Sequence, residues 1–119
     1  MKTEPRHSHD GMSLSEWISR VPNELPRDAV GLWQIIPALR DSFGLEGPAL
    51  ETAVGATIQA LLERGAVPVR CGPKDGPEWI PDDAYDRDWE AVKSKVINDW
   101  VRSGLEPTVG DLWFALVVS

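Results

Sequence analysis

The chain has 119 residues, 42% of them hydrophobic and 26% charged, a composition that indicates a folded domain and excludes a disordered chain. The formal net charge of −7 at neutral pH disfavours binding to nucleic-acid phosphates and to anionic lipid surfaces. Cys71 is the only cysteine, which excludes an internal disulfide, and the longest apolar run, residues 112–118, is too short to span a membrane. We therefore expect a cytoplasmic protein with a flexible tail over residues 1–12 and a single globular domain over residues 13–119.

Two helices are predicted in the first part of the domain. Ser13 and Glu16 have the spacing of a capping box, in which a hydroxyl and a carboxylate satisfy backbone N–H groups at a helix start, and Pro22 ends the short helix that follows. Apolar residues then recur every three or four positions over residues 29–43, which predicts a helix with one buried stripe. Pro37 lies inside this stripe, so we expect either a kink there or two shorter helices.

A third helix followed by a β-hairpin is predicted in the middle of the chain. The Gly-Pro pair at the start of residues 47–65 is typical of a helix start, and the apolar stripe that follows ends at a glycine. Residues 66–71 alternate as in a strand, although Pro68 favours an edge position or a partial ladder. Turn-forming residues fill positions 72–77, and residues 78–80 can form the return strand.

A fourth helix and one ambiguous segment complete the predicted fold. Asp82 or Asp83 can cap the helix, which ends at Gly104. Its apolar face carries Tyr85, Trp89, Val92, Val96 and Trp100. Residues 112–118 fit a helix or a strand, and we favour a strand that completes the sheet of the hairpin. The predicted fold class is therefore α+β and mostly helical, with about four helices and a small antiparallel hairpin or three-stranded sheet.

The order of these elements resembles the later part of a winged-helix domain. The segment IQALLERGAVPVRCGPKDGPEWIP has the helix, strand, turn-rich wing and second strand of that family. The resemblance implies a recognition helix over residues 52–64 and a wing tip over residues 72–77. Such a helix reads base edges with Arg, Lys, Asn or Gln, whereas this one offers little beyond Gln59 and Arg64. The resemblance therefore implies a winged-helix-like fold but gives little support to DNA binding.

Two groups of metal-ligating residue types lack the pattern of a metal site. His7, His9 and Asp10 are close in sequence but lie in the predicted tail without a fourth ligand nearby. A calcium loop would need a glycine at its sixth position and a carboxylate at its twelfth, and neither is present in the sequence counted from Asp82. The aspartates of this second group, which fit better as a solvated, acidic helix start, are Asp82, Asp83, Asp86 and Asp88.

No catalytic set is evident in the sequence. A nucleophilic role for Cys71 would need a histidine base beside it, and both histidines lie in the predicted tail. Residues 72–76 lack the spacing of a phosphate-binding loop and do not open a helix, so no cofactor is predicted. A small enzyme that uses paired carboxylates stays an alternative.

The acidic residues are concentrated in one segment that also carries aromatic side chains. Residues 75–90 contain seven carboxylates against Arg87 alone, and like charges this crowded repel one another without a partner. The six tryptophans of the chain are expected mainly in the core, but aromatic residues in an acidic segment are also typical anchors of protein interfaces. The predicted partner-binding residues are Asp75, Glu78, Trp79, Asp82, Asp83, Asp86, Asp88 and Trp89.

These features favour a non-catalytic protein-binding module with an acidic face for a basic protein partner, comparable to bacterial immunity or antitoxin-like proteins. The first alternative is a winged-helix nucleic-acid-binding regulator, acting as a dimer that brings together Arg40, Arg64, Arg70 and Lys74. The second alternative is the carboxylate-dependent enzyme. The sequence does not distinguish a monomer from an oligomer.

Overall fold

A computed structural model of the protein shows four α-helices and a four-stranded antiparallel sheet in the residues that it describes. The structure describes residues 5–8, 11–85, 88–108 and 110–116. The predicted α+β class is confirmed, and the sheet contains one strand more than the larger of the two predicted sheets.

Helix α1, Leu14–Arg20, begins where the sequence predicts. The Ser13 hydroxyl accepts a hydrogen bond from the Glu16 N–H at 3.3 Å, and the Glu16 carboxylate contacts Arg20 one turn later at 2.8 Å. A 3₁₀ turn, Val21–Glu24, follows and contains the buried Pro22. The Ser13 half of the predicted capping box is therefore confirmed, whereas the Glu16 carboxylate pairs with Arg20.

Part of the segment interpreted as a tail contacts the helical core. The backbone N–H of Ser8 donates to the Ser42 carbonyl at 2.9 Å, and the His7 N–H donates to the Met12 carbonyl at 2.8 Å. The His7 ring meets the edge of Phe43 with the ring centroids 5.4 Å apart. These contacts attach residues 5–8 to the domain, whereas His9 and Asp10 lie outside the described residues.

The predicted helix over residues 29–43 is divided. Val30–Gly31 forms a short strand, β1, so helix α2 begins only after it and spans Leu32–Pro37. Beyond Pro37 the helix continues as a π-helical turn, Ala38–Ser42. The predicted interruption at Pro37 is confirmed, because proline has no N–H to donate to the preceding turn. The predicted start at residue 29 is wrong, because β1 pairs with the C-terminal strand and this long-range pairing overrides the local pattern.

Helix α3, Gly47–Glu63, is the longest helix and the centre of the core. Its predicted apolar stripe is buried, and the left-handed Gly65, with φ of 95°, follows its end. Helices α1 and α2 and the π-helical turn after α2 pack around it. The buried apolar residues of the stripe are Leu50, Val54, Ile58, Leu61 and Leu62.

The sheet has the order β1-β4-β2-β3, with β2 at Val67–Cys71, β3 at Trp79–Pro81 and β4 at Trp113–Ala115. The prediction that the C-terminal segment completes the hairpin's sheet is confirmed for β4. Pro68 lies in the central strand β2, so its predicted edge position is wrong. The predicted partial ladder is correct. The Pro68 carbonyl accepts a hydrogen bond from the Asp82 N–H, and Asp82 lies just beyond the end of β3. The N–H that proline lacks is therefore missing at a position outside the paired residues of β3.

Helix α4, Trp89–Val96, packs against α3 through Val92 and Val96 and continues as a π-helical turn, Ile97–Val101. The predicted caps Asp82 and Asp83 are wrong, because the side chain of Asp88 caps this helix by accepting from the Glu90 N–H. Asp82 instead closes a turn between β3 and α4. Among the helices of the described residues, none is long and apolar enough to cross a membrane.

The two faces of the sheet belong to different apolar clusters. Phe114, together with Leu112 and Val30, faces the helices and joins the main core. Side chains alternate along a strand, so the neighbouring Trp113 points to the opposite face. There it forms a second cluster with Ala29, Val69 and Ala115.

Candidate functional site

The tip of the hairpin presents two of the predicted acidic residues to solvent. The Gly72 N–H donates to the Glu78 carbonyl at 2.8 Å, and the Gly76 N–H donates to the Pro73 carbonyl at 3.1 Å, which together close the turn. A Cβ atom on Gly72 would overlap the Pro77 carbonyl oxygen, so the turn requires glycine there. Asp75 and Glu78 are both exposed at this tip.

The acidic residues that follow the hairpin lie beyond the outer strand of the sheet. Asp82 is half-buried, and its carboxylate accepts from the Ala84 N–H at 3.0 Å. Asp83 is exposed beside it. Within the described part of the chain, neither Asp75, Glu78 nor Asp83 forms an ion pair, so these charges are available to a partner.

The start of α4 forms a separate acidic and aromatic group. Asp88 is exposed while it caps the helix, and Trp89, the first helical residue, has 42% of its surface exposed. The Glu90 carboxylate contacts Lys93 at 2.8 Å, which neutralises it locally. Asp86 and Arg87 lie outside the described residues. The structure thus shows the predicted site as two groups, the hairpin with its outer strand and the start of α4.

The three aromatic residues of the acidic segment differ in their burial. Tyr85 packs against the main core and hydrogen-bonds the side chain of Trp100, while Lys95 lies over its ring at 5.5 Å from the centroid. Burial raises the pKa of the Tyr85 hydroxyl above its ordinary value, and the hydrogen bond and Lys95 oppose this shift. Trp79 is half-buried, and only Trp89 is largely exposed.

A row of three tryptophans crosses the second face of the sheet, and the sequence analysis did not identify it. The buried Trp113 lies between Trp79, at a ring-centroid distance of 5.0 Å, and Trp33, at 6.2 Å. Trp33 has 37% of its surface exposed, so its predicted place in a buried helix stripe is wrong. The predicted core role of the tryptophans holds for the buried Trp113 and for the partly buried Trp17, Trp79 and Trp100, which pack against the two clusters, whereas Trp33 and Trp89 are exposed.

Gly31 allows this row to form. A Cβ atom on Gly31 would lie 2.6 Å from Cδ1 of Trp33 and 3.1 Å from Cδ2 of Trp113, both closer than packed atoms normally come. The Gly31 N–H donates to Oε1 of Gln34, which fixes the start of α2 and with it the position of Trp33. A glycine two residues before a tryptophan, at a strand-to-helix junction, was the available sequence signal for this contact.

One cleft bears on the enzyme alternative. It has a volume of about 320 Å³, lies between α1 and β1, and has Glu24 and Asp28 on its wall. Both residues are exposed, and Asp28 already accepts from the Ala29 N–H at 2.8 Å. A general acid and base pair needs two carboxylates in contrasting environments, and this cleft gives neither residue a buried one.

The basic residues named for nucleic-acid binding are partly engaged with other side chains. The Arg40 guanidinium contacts Asp41 at 2.9 Å and Glu106 at 2.7 Å, and these hydrogen bonds hold the pKa values of both carboxyl groups below their usual range. Arg64 hydrogen-bonds Oδ1 of Asn23 at 3.4 Å. Arg70 and Lys74 are exposed in and beside the hairpin. Of these four residues only Arg40 is neutralised by carboxylates, whereas Arg64, Arg70 and Lys74 form no ion pair in the described part of the chain.

Cys71 is exposed at the end of β2, opposite Trp79. In the part of the chain that the structure describes, no group of three or more His, Cys, Asp or Glu side chains could hold a metal ion. Comparisons with protein-family models, with curated proteins and with solved structures found no match to this chain.

Proposed function

We propose that this protein is a non-catalytic binding module whose acidic hairpin surface binds a basic protein partner. The observation that carries the proposal is the set of exposed carboxylates Asp75, Glu78 and Asp83, which have no ion pair among the described residues and which precede and follow the half-buried Trp79 in the sequence.

The charge of these residues defines the partner's chemistry. Carboxylates held close together without cations repel one another, and a surface with Lys or Arg relieves this repulsion on binding. Some acids elsewhere in the described residues are paired, as in Glu16 with Arg20 and Asp99 with Lys95, whereas the exposed Glu24, Glu46 and Glu63 form no ion pair there. The hairpin surface differs from these scattered acids because unpaired carboxylates and the half-buried Trp79 occur together within residues 75–83.

An aromatic side chain within the acidic surface supports protein binding in particular. Interfaces obtain much of their affinity from a few large anchors such as Trp, while charges at the rim guide association and specificity. Trp79 fits the anchor position because it lies between Glu78 and the acids that follow β3. Trp89 offers a second exposed anchor at the start of α4.

The test compares two variants with the same total charge. The first carries Asp75→Asn, Glu78→Gln and Asp83→Asn, and the matched control carries Glu24→Gln, Glu46→Gln and Glu63→Gln, all at exposed positions. Each loses three charges from the formal −7. The immobilised proteins are exposed to an extract of their native cells, and each protein captured by the wild type is purified and titrated at low and moderate salt.

We expect a basic protein that binds the wild type and the control with similar, salt-sensitive affinity. The hairpin variant should bind about tenfold more weakly, because each exposed pair contributes up to about 1 kcal/mol. The proposal fails if no basic protein binds specifically, or if both variants lose affinity equally, since an equal loss reflects net charge alone.

A further inference from the structure

We infer that the tryptophan row Trp33–Trp113–Trp79 binds arginine side chains from the basic partner, which makes it the specificity-determining part of the acidic surface. This inference rests on the proposed function and goes further, because it names arginine rather than lysine as the cation recognised.

The geometry of the row leaves indole surface at both ends. Trp113 is buried in the middle, and it holds Trp79 at an interplanar angle of 42° and Trp33 at 66°. The outer two rings are therefore backed by a fixed neighbour while part of each faces solvent. Rings already fixed in this way lose little side-chain entropy when a ligand stacks on them.

Acidic residues lie at both ends of the strand that carries Trp79. Asp75 and Glu78 precede β3 at the hairpin tip, and Asp82 and Asp83 follow it. A ligand that stacks on Trp79 thus meets an aromatic surface on a strand whose two ends carry carboxylates. Trp79 also directs its backbone N–H and C=O groups outward at the β3 edge of the sheet. Hydrogen-bonded and non-hydrogen-bonded pairs alternate between β2 and β3, and because Arg70 and Ile80 form a hydrogen-bonded pair, the neighbouring Trp79 does not bond to β2.

Arginine satisfies both features with one side chain. Its guanidinium is planar, weakly hydrated and able to stack on an indole while its N–H groups donate to carboxylates. Lysine carries a compact and strongly hydrated charge, so it gains from the carboxylates but less from the rings. Nucleobases also stack on tryptophan, but their phosphates would meet the acidic residues with unfavourable charge.

The experiment uses three synthetic peptides that consist of four repeats of Arg-Gly-Ser, Lys-Gly-Ser or Gln-Gly-Ser. Binding to the full-length protein is measured by isothermal titration calorimetry at low salt, together with binding of an oligothymidylate. The variants are Trp33→Leu, which removes an exposed ring, and Trp33→Phe, which retains an aromatic face. Because Trp33 is 37% exposed, both variants should fold, and circular dichroism checks this.

We expect the arginine peptide to bind about two- to fivefold more tightly than the lysine peptide, and the glutamine peptide to bind least, as one exposed cation–π contact predicts. Trp33→Leu should reduce this arginine preference, and Trp33→Phe should restore most of it. Equal affinity for the arginine and lysine peptides, with both weakened by the hairpin charge variant, would overturn the inference while the proposed function stands. If neither cationic peptide binds more tightly than the glutamine peptide, both fail. Tighter binding of the oligothymidylate than of the arginine peptide also overturns the inference.

Discussion

Replacing Asp88 separates its structural role from its charge. Its carboxylate caps α4 by accepting from the Glu90 N–H at 3.3 Å, and its charge lies at the positive end of the helix dipole. Asp88→Ala removes the cap and the charge together. Asp88→Asn retains a capping oxygen and removes only the charge, because Asn caps helices about as well as Asp.

The structure sets the size of the expected effect. Loss of a cap costs about 0.5–2 kcal/mol, and the 3.3 Å distance exceeds the usual range of about 2.7–3.2 Å, so we expect the lower half of that interval for Asp88→Ala. Asp88→Asn should cost only about 0.3–0.5 kcal/mol from the lost interaction with the dipole. Asp83→Ala, at an exposed position that the sequence predicted as a cap, should change the free energy of unfolding by less than about 0.5 kcal/mol.

Urea denaturation followed by circular dichroism measures these differences. With an m-value of about 1–3 kcal/mol/M, Asp88→Ala should lower the midpoint by roughly 0.5 M at an unchanged m-value. Two results would refute the reasoning: equal losses for Asp88→Ala and Asp88→Asn, or a larger loss for Asp83→Ala than for Asp88→Ala. The second result would return the cap to the position that the sequence alone favoured.

Two further predictions concern the tryptophan row and the single tyrosine. Gly31→Ala should destabilise the fold by about 1–3 kcal/mol, because the added Cβ atom would collide with Trp33 and Trp113. Adding Trp33→Ala should recover part of this loss, and a double-mutant cycle measured by urea unfolding tests both changes. Burial raises the pKa of Tyr85, so the hydroxyl stays neutral in the folded protein at a pH where the unfolded chain has begun to ionise. The contribution of this tyrosine to stability is therefore complete below the unfolded pKa near 10 and is lost as the pH rises toward the folded pKa. Phenolate absorbance should show this raised pKa directly, and a wild type with the same alkaline stability profile as Tyr85→Phe would contradict it.

Local signals in the sequence predict most of the helices correctly. Ser13, Pro37 and Gly65 act through neighbouring backbone groups, so their effects are readable from a few residues. The prediction fails at Val30, whose strand depends on pairing with Phe114 more than eighty positions away. The helical spacing of the apolar residues predicts that Trp33 is buried with them. In the structure its ring instead packs against Trp113 on the second face of the sheet, a contact that the local sequence does not predict.

The acidic surface beside the hairpin was predictable, because it depends on the composition of residues 75–90 and on the turn-forming residues before them. The tryptophan row was not, because its members come from α2, β3 and β4, which are far apart in the sequence. The same reason explains why the cap of α4 was misplaced. Several aspartates precede this helix, and any of them satisfies the local pattern, so only the tertiary position of the helix start selects Asp88.

The acidic residues around β3 also have a structural effect, which is a second explanation for their presence beside the proposed function. Charged side chains and proline at an outer strand prevent it from pairing with the sheet of another molecule, and Pro81 already removes one outward donor from β3. This protection does not depend on the sign of the charge, and lysine serves it at least as well as aspartate. It also requires no exposed aromatic side chain, whereas exposed tryptophan increases the risk of association. Edge protection therefore accounts for the presence of charge beside β3, but it explains neither the excess of carboxylates over the cations Arg70 and Lys74 there nor the exposed indole of Trp33, and both of these favour a cationic partner with planar side chains.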